Sequence, residues 1–169
     1  MPESLRPLRI NALELLRQPG TERVIRDDIS AHALGIEHAL LRGDVGVDYR
    51  LESLNDGIVV HGVARARWEG ECRRCLKPIG GTDVVEVDEL YQIDLTDEEA
   101  FPIENNQLDL APMTRELVLL SLDEERLHAP VCAGLCPACG RDRNEGECGC
   151  DTTVRDERWA ALDELKLED

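Results

Sequence analysis

Aromatic residues are scarce in this chain of 169 residues, where two tryptophans, two tyrosines and one phenylalanine make up only 3% of the sequence. The hydrophobic fraction of 42% still suits a globular protein, so aliphatic side chains must fill most of the core. No apolar run approaches the roughly 20 residues that a membrane-spanning helix needs. The first residues also lack the apolar stretch of a secretion signal. Together these absences predict a cytosolic protein that does not associate with a membrane.

Basic residues are also few, because 19 Lys and Arg stand against 36 Asp and Glu and leave a net charge of -17. Affinity for nucleic acid comes largely from Lys and Arg that displace counterions, so this balance argues against an extended RNA-binding surface. It favours a basic protein as partner instead, and ribosomal proteins are an abundant basic class. The acidic residues are concentrated in residues 83–99, which contain no Lys or Arg.

One short segment has the opposite charge, since five basic residues face only two acidic ones between positions 65 and 77. Salt screens the surrounding acids beyond about 8 Å, so a local basic patch can persist there. We predict that this patch contacts RNA phosphates or another partner through Arg65, Arg67, Arg73, Arg74 and Lys77.

The seven cysteines are all clustered, and five of them fall within nineteen residues near the C-terminus. In a reducing compartment such clusters favour a metal over disulfides. The run Cys136-Pro137-Ala138-Cys139-Gly140 has the form of a zinc knuckle, in which two thiolates on a tight turn bind one ion. Four sulfurs can then surround a structural zinc ion, and we predict as its ligands Cys136, Cys139, Cys148 and Cys150.

Other ligand sets remain open. Cys132 precedes the knuckle by four residues and can replace Cys148 or Cys150. Cys72 and Cys75 can contribute two ligands from the sheet and so attach the tail to the body. His128 is a further candidate, although a single loop histidine is usually just solvated.

A catalytic arrangement is not recognisable in the sequence. The chain contains neither G-x-S-x-G nor a phosphate-binding loop, and a zinc ion with four cysteine ligands has no open coordination position. A redox role for Cys72-x-x-Cys75 would require a helix N-terminus to lower the thiol pKa, and no helix is predicted there. We therefore expect a binding or assembly factor without enzymatic activity or a small-molecule substrate.

Alternating apolar residues predict strands over 44–53 and 58–69, joined by a tight turn of left-handed residues at 55–57, and a third strand over 82–94. A further strand is predicted within 24–29. Pro112 near the start of an apolar stripe of Met113, Leu117 and Leu120 predicts a helix near 111–122.

The chain is therefore expected to be an α+β protein, with an antiparallel β-sheet (the hairpin plus further strands), one or two packed helices and a small zinc-knuckle segment. Residues 1–125 form the β-rich body in this interpretation. Residues 126–169 form the Cys-rich zinc segment, which ends in a short helix over 155–165.

Four segments occur in an order that is typical of one protein family: Cys72-Arg73-Arg74-Cys75-Leu76 after a strand; Leu108-Asp109-Leu110 leading into Glu116-Leu117-Val118-Leu119-Leu120; Gly134 to Gly140 with Asn144 and Cys148-x-Cys150; and Asp156 to Leu162. In these segments the chain resembles the YceD family, the large ribosomal RNA subunit accumulation proteins. The charged stretch of residues 123–126 departs from the family pattern, in which a more apolar link is expected.

The resemblance implies a bacterial or organellar factor for ribosome biogenesis that supports accumulation of large-subunit ribosomal RNA. The implied partner is that RNA, a precursor ribosomal particle or a basic ribosomal protein. Two alternatives from other classes are a zinc-ribbon accessory protein in transcription and a CxxC redox protein.

Overall fold

The computed structural model describes residues 3–152 and Arg158. The helix predicted over 155–165 therefore lies, except for Arg158, outside the described residues. Within 3–152 neither α-helix approaches the length and apolar character that crossing a bilayer requires.

A five-stranded sheet dominates the fold, with the spatial order β2-β3-β4-β5-β6. Its strands pair antiparallel except for the short edge strand β6, which runs parallel to β5. The strands are β2 (Glu22–Ile29), β3 (Leu41–Ser53), β4 (Ile58–Glu71), β5 (Pro78–Gln92) and β6 (Phe101–Pro102). A separate two-stranded sheet pairs β1 (Arg9–Asn11) with β7 (Gln107–Asp109).

The core lies on one face of the large sheet. Successive side chains of a strand point to opposite faces, and in β3 the alternate residues Val45, Val47, Tyr49 and Leu51 are all at most 4% exposed. The paired strand β4 buries its own alternate residues against the same core. The predicted hairpin and its inward face are confirmed, as are the strand within 24–29 and the α+β class.

Three helical segments cover this apolar face: a 3-10 helix (Glu3–Leu8), α1 (Ala12–Leu16) and α2 (Ala111–Ser121). The longest of them, α2, packs on β4 and β5. The Tyr49 hydroxyl lies 3.0 Å from Thr114 Oγ1. Because Thr114 Oγ1 donates to the carbonyl of Leu110, the tyrosine is the donor in this pair.

Two details of the sequence prediction are wrong. Leu120 does not belong to the buried stripe of α2, because it is 77% exposed while Met113, Thr114 and Val118 are buried. The turn at 55–57 also contains no residue with positive φ. Gly57 is instead required by space, since a Cβ atom there would lie 2.4 Å from the carbonyl oxygen of Tyr91.

The tail, which we define as residues 123–152, follows α2 and contains neither a helix nor a strand. Its only β-pairing in the described part is the single bridge between Leu135 and Asp142. A second, small apolar cluster joins it to the body; this cluster contains Cys72, Cys75, Cys132 and the half-buried Ile79, Leu127 and Leu135. The division of the chain near residue 125 stays a prediction.

Candidate metal centres and charged surfaces

The first candidate metal centre, the inner cluster, consists of Cys72, Cys75, His128 and Cys132, whose ligand atoms all lie within 4.8 Å of one another. Two of the ligands come from the turn between β4 and β5 and two from the tail. The three cysteines are 0 to 6% exposed. Cys72, Cys75 and Cys132 were predicted only as alternate ligands, and His128 only as a further candidate, yet the fold assembles all four into one set.

The second candidate centre, the outer cluster, consists of Cys136, Cys139, Cys148 and Cys150, which likewise lie within 4.8 Å of one another. The grouping predicted from the sequence is therefore present. Only Cys136 is buried, whereas Cys139 and Cys150 are exposed. Both clusters are compatible with zinc in donor type, because thiolate and imidazole are its usual ligands in structural sites.

The two C-x-x-C turns have the same backbone geometry. In the outer turn, the Gly140 N–H donates to the Cys136 carbonyl at 2.8 Å, and the Cys136 N–H donates to the carbonyl of Arg141 at 2.8 Å. In the inner turn, the Leu76 N–H donates to the Cys72 carbonyl at 2.9 Å, and the Cys72 N–H donates to the Lys77 carbonyl at 2.8 Å. The fourth residue after the first cysteine has positive φ in both turns, 72° at Gly140 and 60° at Leu76.

In each turn the first thiol has a low pKa. The backbone N–H groups of Cys139 and Ala138 lower the pKa of Cys136 to about 6. Burial raises the pKa of Cys72, but hydrogen bonds with His128 and from backbone N–H groups outweigh this effect and lower the pKa to about 5. The thiolate is the form that binds a metal, so each turn favours the ligand form of its first cysteine.

Contacts between the tail and the body surround the inner cluster. The Leu135 N–H donates to the Arg74 carbonyl at 3.0 Å, and Arg74 Nη1 donates to the Cys132 carbonyl at 2.9 Å. Lys77 Nζ lies 2.8 Å from Asp142 Oδ2. Gly134, at φ 72°, fits closely because a Cβ atom there would lie 3.1 Å from the Arg74 carbonyl oxygen.

Asn144 joins the two halves of the tail. Its Oδ1 accepts the Ala133 N–H at 2.8 Å, and its Nδ2 lies 3.5 Å from Cys132 Sγ. A hydrogen bond to a ligand sulfur is typical of the surroundings of a metal site. The motif that carried the family resemblance contains this residue, but its contact with the inner cluster was not predicted.

The five predicted basic residues do not form one open patch. Lys77 and Arg74 contact the tail, as described above, and Arg73 pairs with Glu125. Arg67 Nη2 lies 3.1 Å from Glu69 Oε1. Both Arg65 and Arg67 are exposed on the face of β4 that points away from the core. A role of these residues in binding RNA stays a prediction.

Four acidic residues lie around the opposite end of β5, close enough for their charges to act on Glu89, and we call this group the acidic edge: Asp88, Glu89, Glu99 and Glu116. Asp88 Oδ1 also lies 2.9 Å from His61 Nδ1. Partial burial, followed by the charges of Asp88, Glu99 and Glu116, raises the pKa of Glu89. The negative charges of Asp88, Glu99 and Glu116 thus disfavour ionisation of Glu89. Ile93 and Leu95, which follow β5 directly in the sequence, are exposed by 52% and 58%.

The family model of the large ribosomal RNA subunit accumulation protein YceD matches residues 60–166, which include both clusters and the acidic edge. The chain belongs to the YceD family. At family level, its role is therefore in the accumulation of large-subunit ribosomal RNA. The resemblance carried by the four ordered segments is confirmed.

Similar proteins occur in mycobacteria. The chain is 33% identical to an uncharacterized protein of Mycobacterium tuberculosis (strain ATCC 25618 / H37Rv), over 94% of the chain and 81% of the relative. A protein of Mycobacterium leprae (strain TN) is 25% identical over 79% of the chain and 66% of that relative. No solved structure matches the chain.

Proposed function

We propose that this protein is a non-enzymatic factor for ribosome biogenesis in the bacterial cytosol and that it binds a basic ribosomal protein or assembly factor through its acidic edge. The binding supports accumulation of large-subunit ribosomal RNA. The acidic edge is the observation that carries the choice of partner. The charges of Asp88, Glu99 and Glu116 disfavour ionisation of Glu89, and a basic partner would offset this effect.

The charge distribution supports a protein partner over direct RNA binding. The net charge of -17 repels phosphate at long range. Four of the five basic residues proposed for RNA contact already bind acceptors within the protein. Ile93 and Leu95, just after β5, add exposed apolar area, and the buried centre of a protein interface is usually richer in apolar area than its rim.

We also propose that the outer cluster binds one zinc ion through Cys136, Cys139, Cys148 and Cys150. Four protein ligands close the coordination shell, so the ion has a structural role. Its contribution is to order the C-terminal half of the tail, which contains no helix or strand in its described part. Metal binding and ordering are coupled in such segments.

Complementation of a deletion strain tests the role and the partner together. We expect deletion to lower the ratio of large- to small-subunit ribosomal RNA, and the wild-type gene to restore it. The variant Asp88→Asn/Glu99→Gln/Glu116→Gln, which removes three charges from the acidic edge, should fail to restore it. A matched variant, Asp27→Asn/Glu37→Gln/Asp44→Asn, removes three exposed acids from β2, β3 and their connection and should restore it.

Direct RNA contact predicts a different pattern. In that case Arg65→Ser/Arg67→Ser would fail to complement, and its binding to large-subunit RNA would decrease less steeply with salt than that of the wild type. We expect this variant to complement normally. A normal RNA ratio in the deletion strain would contradict the proposed role itself, whereas failure of the arginine variant alone would contradict only the choice of partner.

A further inference from the structure

We propose that the inner cluster is a second zinc site, of the type Cys3His, and that its ion links the sheet to the tail. The protein would then hold two zinc ions per chain. The ligands are Cys72 and Cys75 from the turn after β4, and His128 and Cys132 from the tail. This site is independent of the ribosomal role proposed above.

The distances within the inner cluster match one tetrahedral ion. Zinc-sulfur bonds of about 2.3 Å in a tetrahedron place two sulfurs about 3.8 Å apart. Cys72 Sγ and Cys132 Sγ are 3.8 Å apart. Cys75 Sγ lies 3.2 Å from His128 Nδ1, a few tenths of an ångström less than the roughly 3.6 Å between sulfur and nitrogen ligands of one zinc ion. A disulfide would require two sulfurs at about 2.05 Å.

The conformation of Leu76 supports the same conclusion. A left-handed backbone is unfavourable for a leucine, and the Leu76 side chain is 57% exposed, so packing does little to compensate. The same conformation occurs at the matching position of the outer turn, which also brings two sulfurs of one candidate metal centre together. The outer turn reaches it with a glycine and has the same two backbone hydrogen bonds.

The position of the cluster determines what the ion does. With four protein ligands the site has no open position, which excludes catalysis by the metal. Cys75 and His128 are 53 residues apart in sequence, so the ion closes a long loop between the end of the β4-β5 hairpin and the tail. Asn144 lies in the sequence between Cys139 and Cys148 of the outer cluster, and its contacts with Ala133 and Cys132 connect that segment to the inner cluster.

Metal analysis of the full chain, purified under reducing conditions, tests the proposal. We expect two equivalents of zinc in the wild type, and one in each of two matched variants, Cys75→Ser for the inner cluster and Cys139→Ser for the outer. A single equivalent in the wild type that Cys139→Ser removes and Cys75→Ser leaves in place would overturn the proposal.

The Cys75→Ser variant could fail to fold, so a second measurement uses the wild type. After exchange of zinc for cadmium-113, we expect two NMR signals, one from three sulfurs and a nitrogen and one from four sulfurs. His128→Cys should move the first signal towards the second and leave the second unchanged. One signal only, or two signals that His128→Cys does not move, would overturn the proposal.

Discussion

The inner and outer clusters each contain a C-x-x-C turn with the same hydrogen bonds, but the surroundings of the two turns differ. The inner turn ends a long β-hairpin, its cysteines are buried, and a leucine occupies the left-handed position. The outer turn lies in a tail without regular secondary structure, two of its cysteines are exposed, and a glycine occupies that position. The two turns thus place different residues in the same left-handed conformation, and only the outer one uses a residue that adopts it freely.

Removal of metal from both clusters should have the largest effect, and it should be confined to the tail. We expect residues 123–152 to become sensitive to protease and to lose protection from hydrogen exchange, because metal binding is coupled to ordering there. The sheet should keep its circular dichroism signal, since its core is apolar. A tail that stays protected after complete metal removal, shown by elemental analysis, would contradict both metal proposals.

Leu51→Ala should have the second largest effect, a loss of stability of the main core. Leu51 is fully buried in the main core, so the truncation should lower the free energy of unfolding by about 3 kcal/mol. The matched variant Val131→Ala truncates a tail residue that is 88% exposed and should change it by less than about 0.5 kcal/mol. Chemical denaturation measures both. Loss of zinc from Leu51→Ala under native conditions would contradict the predicted division of the chain near residue 125.

Arg126→Met should have a smaller effect, at the start of the tail. The Arg126 guanidinium forms two bonds to Asp83, at 3.0 and 2.5 Å, and lies 4.0 Å over the Trp68 ring. Breaking this partly buried ion pair should cost about 2 kcal/mol. Arg143→Met, at an exposed tail position, is the control and should cost little. We expect unchanged zinc content in both variants; release of zinc by Arg126→Met would show that the ion pair holds the inner cluster.

The smallest expected effect distinguishes the two turns. Leu76→Gly should remove the strain of about 1 to 2 kcal/mol that a left-handed leucine carries. Because glycine also makes the unfolded chain more flexible, the net stabilisation of the folded turn should be about 0.5 kcal/mol. The affinity of the inner cluster for zinc, measured by competition with a chelator, should rise about twofold. Gly140→Ala should lower the affinity of the outer cluster for zinc, because the positive φ of this position is unfavourable for alanine. Steric clashes do not contribute, since an added Cβ atom would meet no atom within 4 Å. Lower affinity after Leu76→Gly would contradict the strain argument.

The sequence predicted best what depends on local pattern. Alternation in β3 and β4 is set by the two faces of a strand, so the hairpin and its buried residues could be predicted. The outer cluster is also local, because its four cysteines lie within fifteen residues of one another. The knuckle spacing was enough to group them.

What the sequence did not predict depends on contacts between distant segments. The sequence suggested that His128 is a solvated loop residue, and only the docking of the tail brings it to Cys72 and Cys75. The spacing His128-x3-Cys132 after a C-x-x-C pair is the signal that could have identified it as a ligand. Arg74 and Lys77 looked like free charges for the same reason, although they bind tail residues. Leu120 was misassigned because packing of α2 on β4 and β5 determines which face is buried.

The length of the β4-β5 hairpin has a mechanical consequence. Fourteen paired positions, from Ile58 and Tyr91 to Glu71 and Pro78, correspond to roughly 45 Å at the usual rise per strand residue. The thiol-rich end and the carboxylate-rich end are thus held apart by a stiff spacer, and a molecule bound at one end leaves the other accessible. If the proposed metal sites lost their ions through oxidation or metal starvation, the geometry of the carboxylate end would remain intact, and the partner binding proposed there would persist.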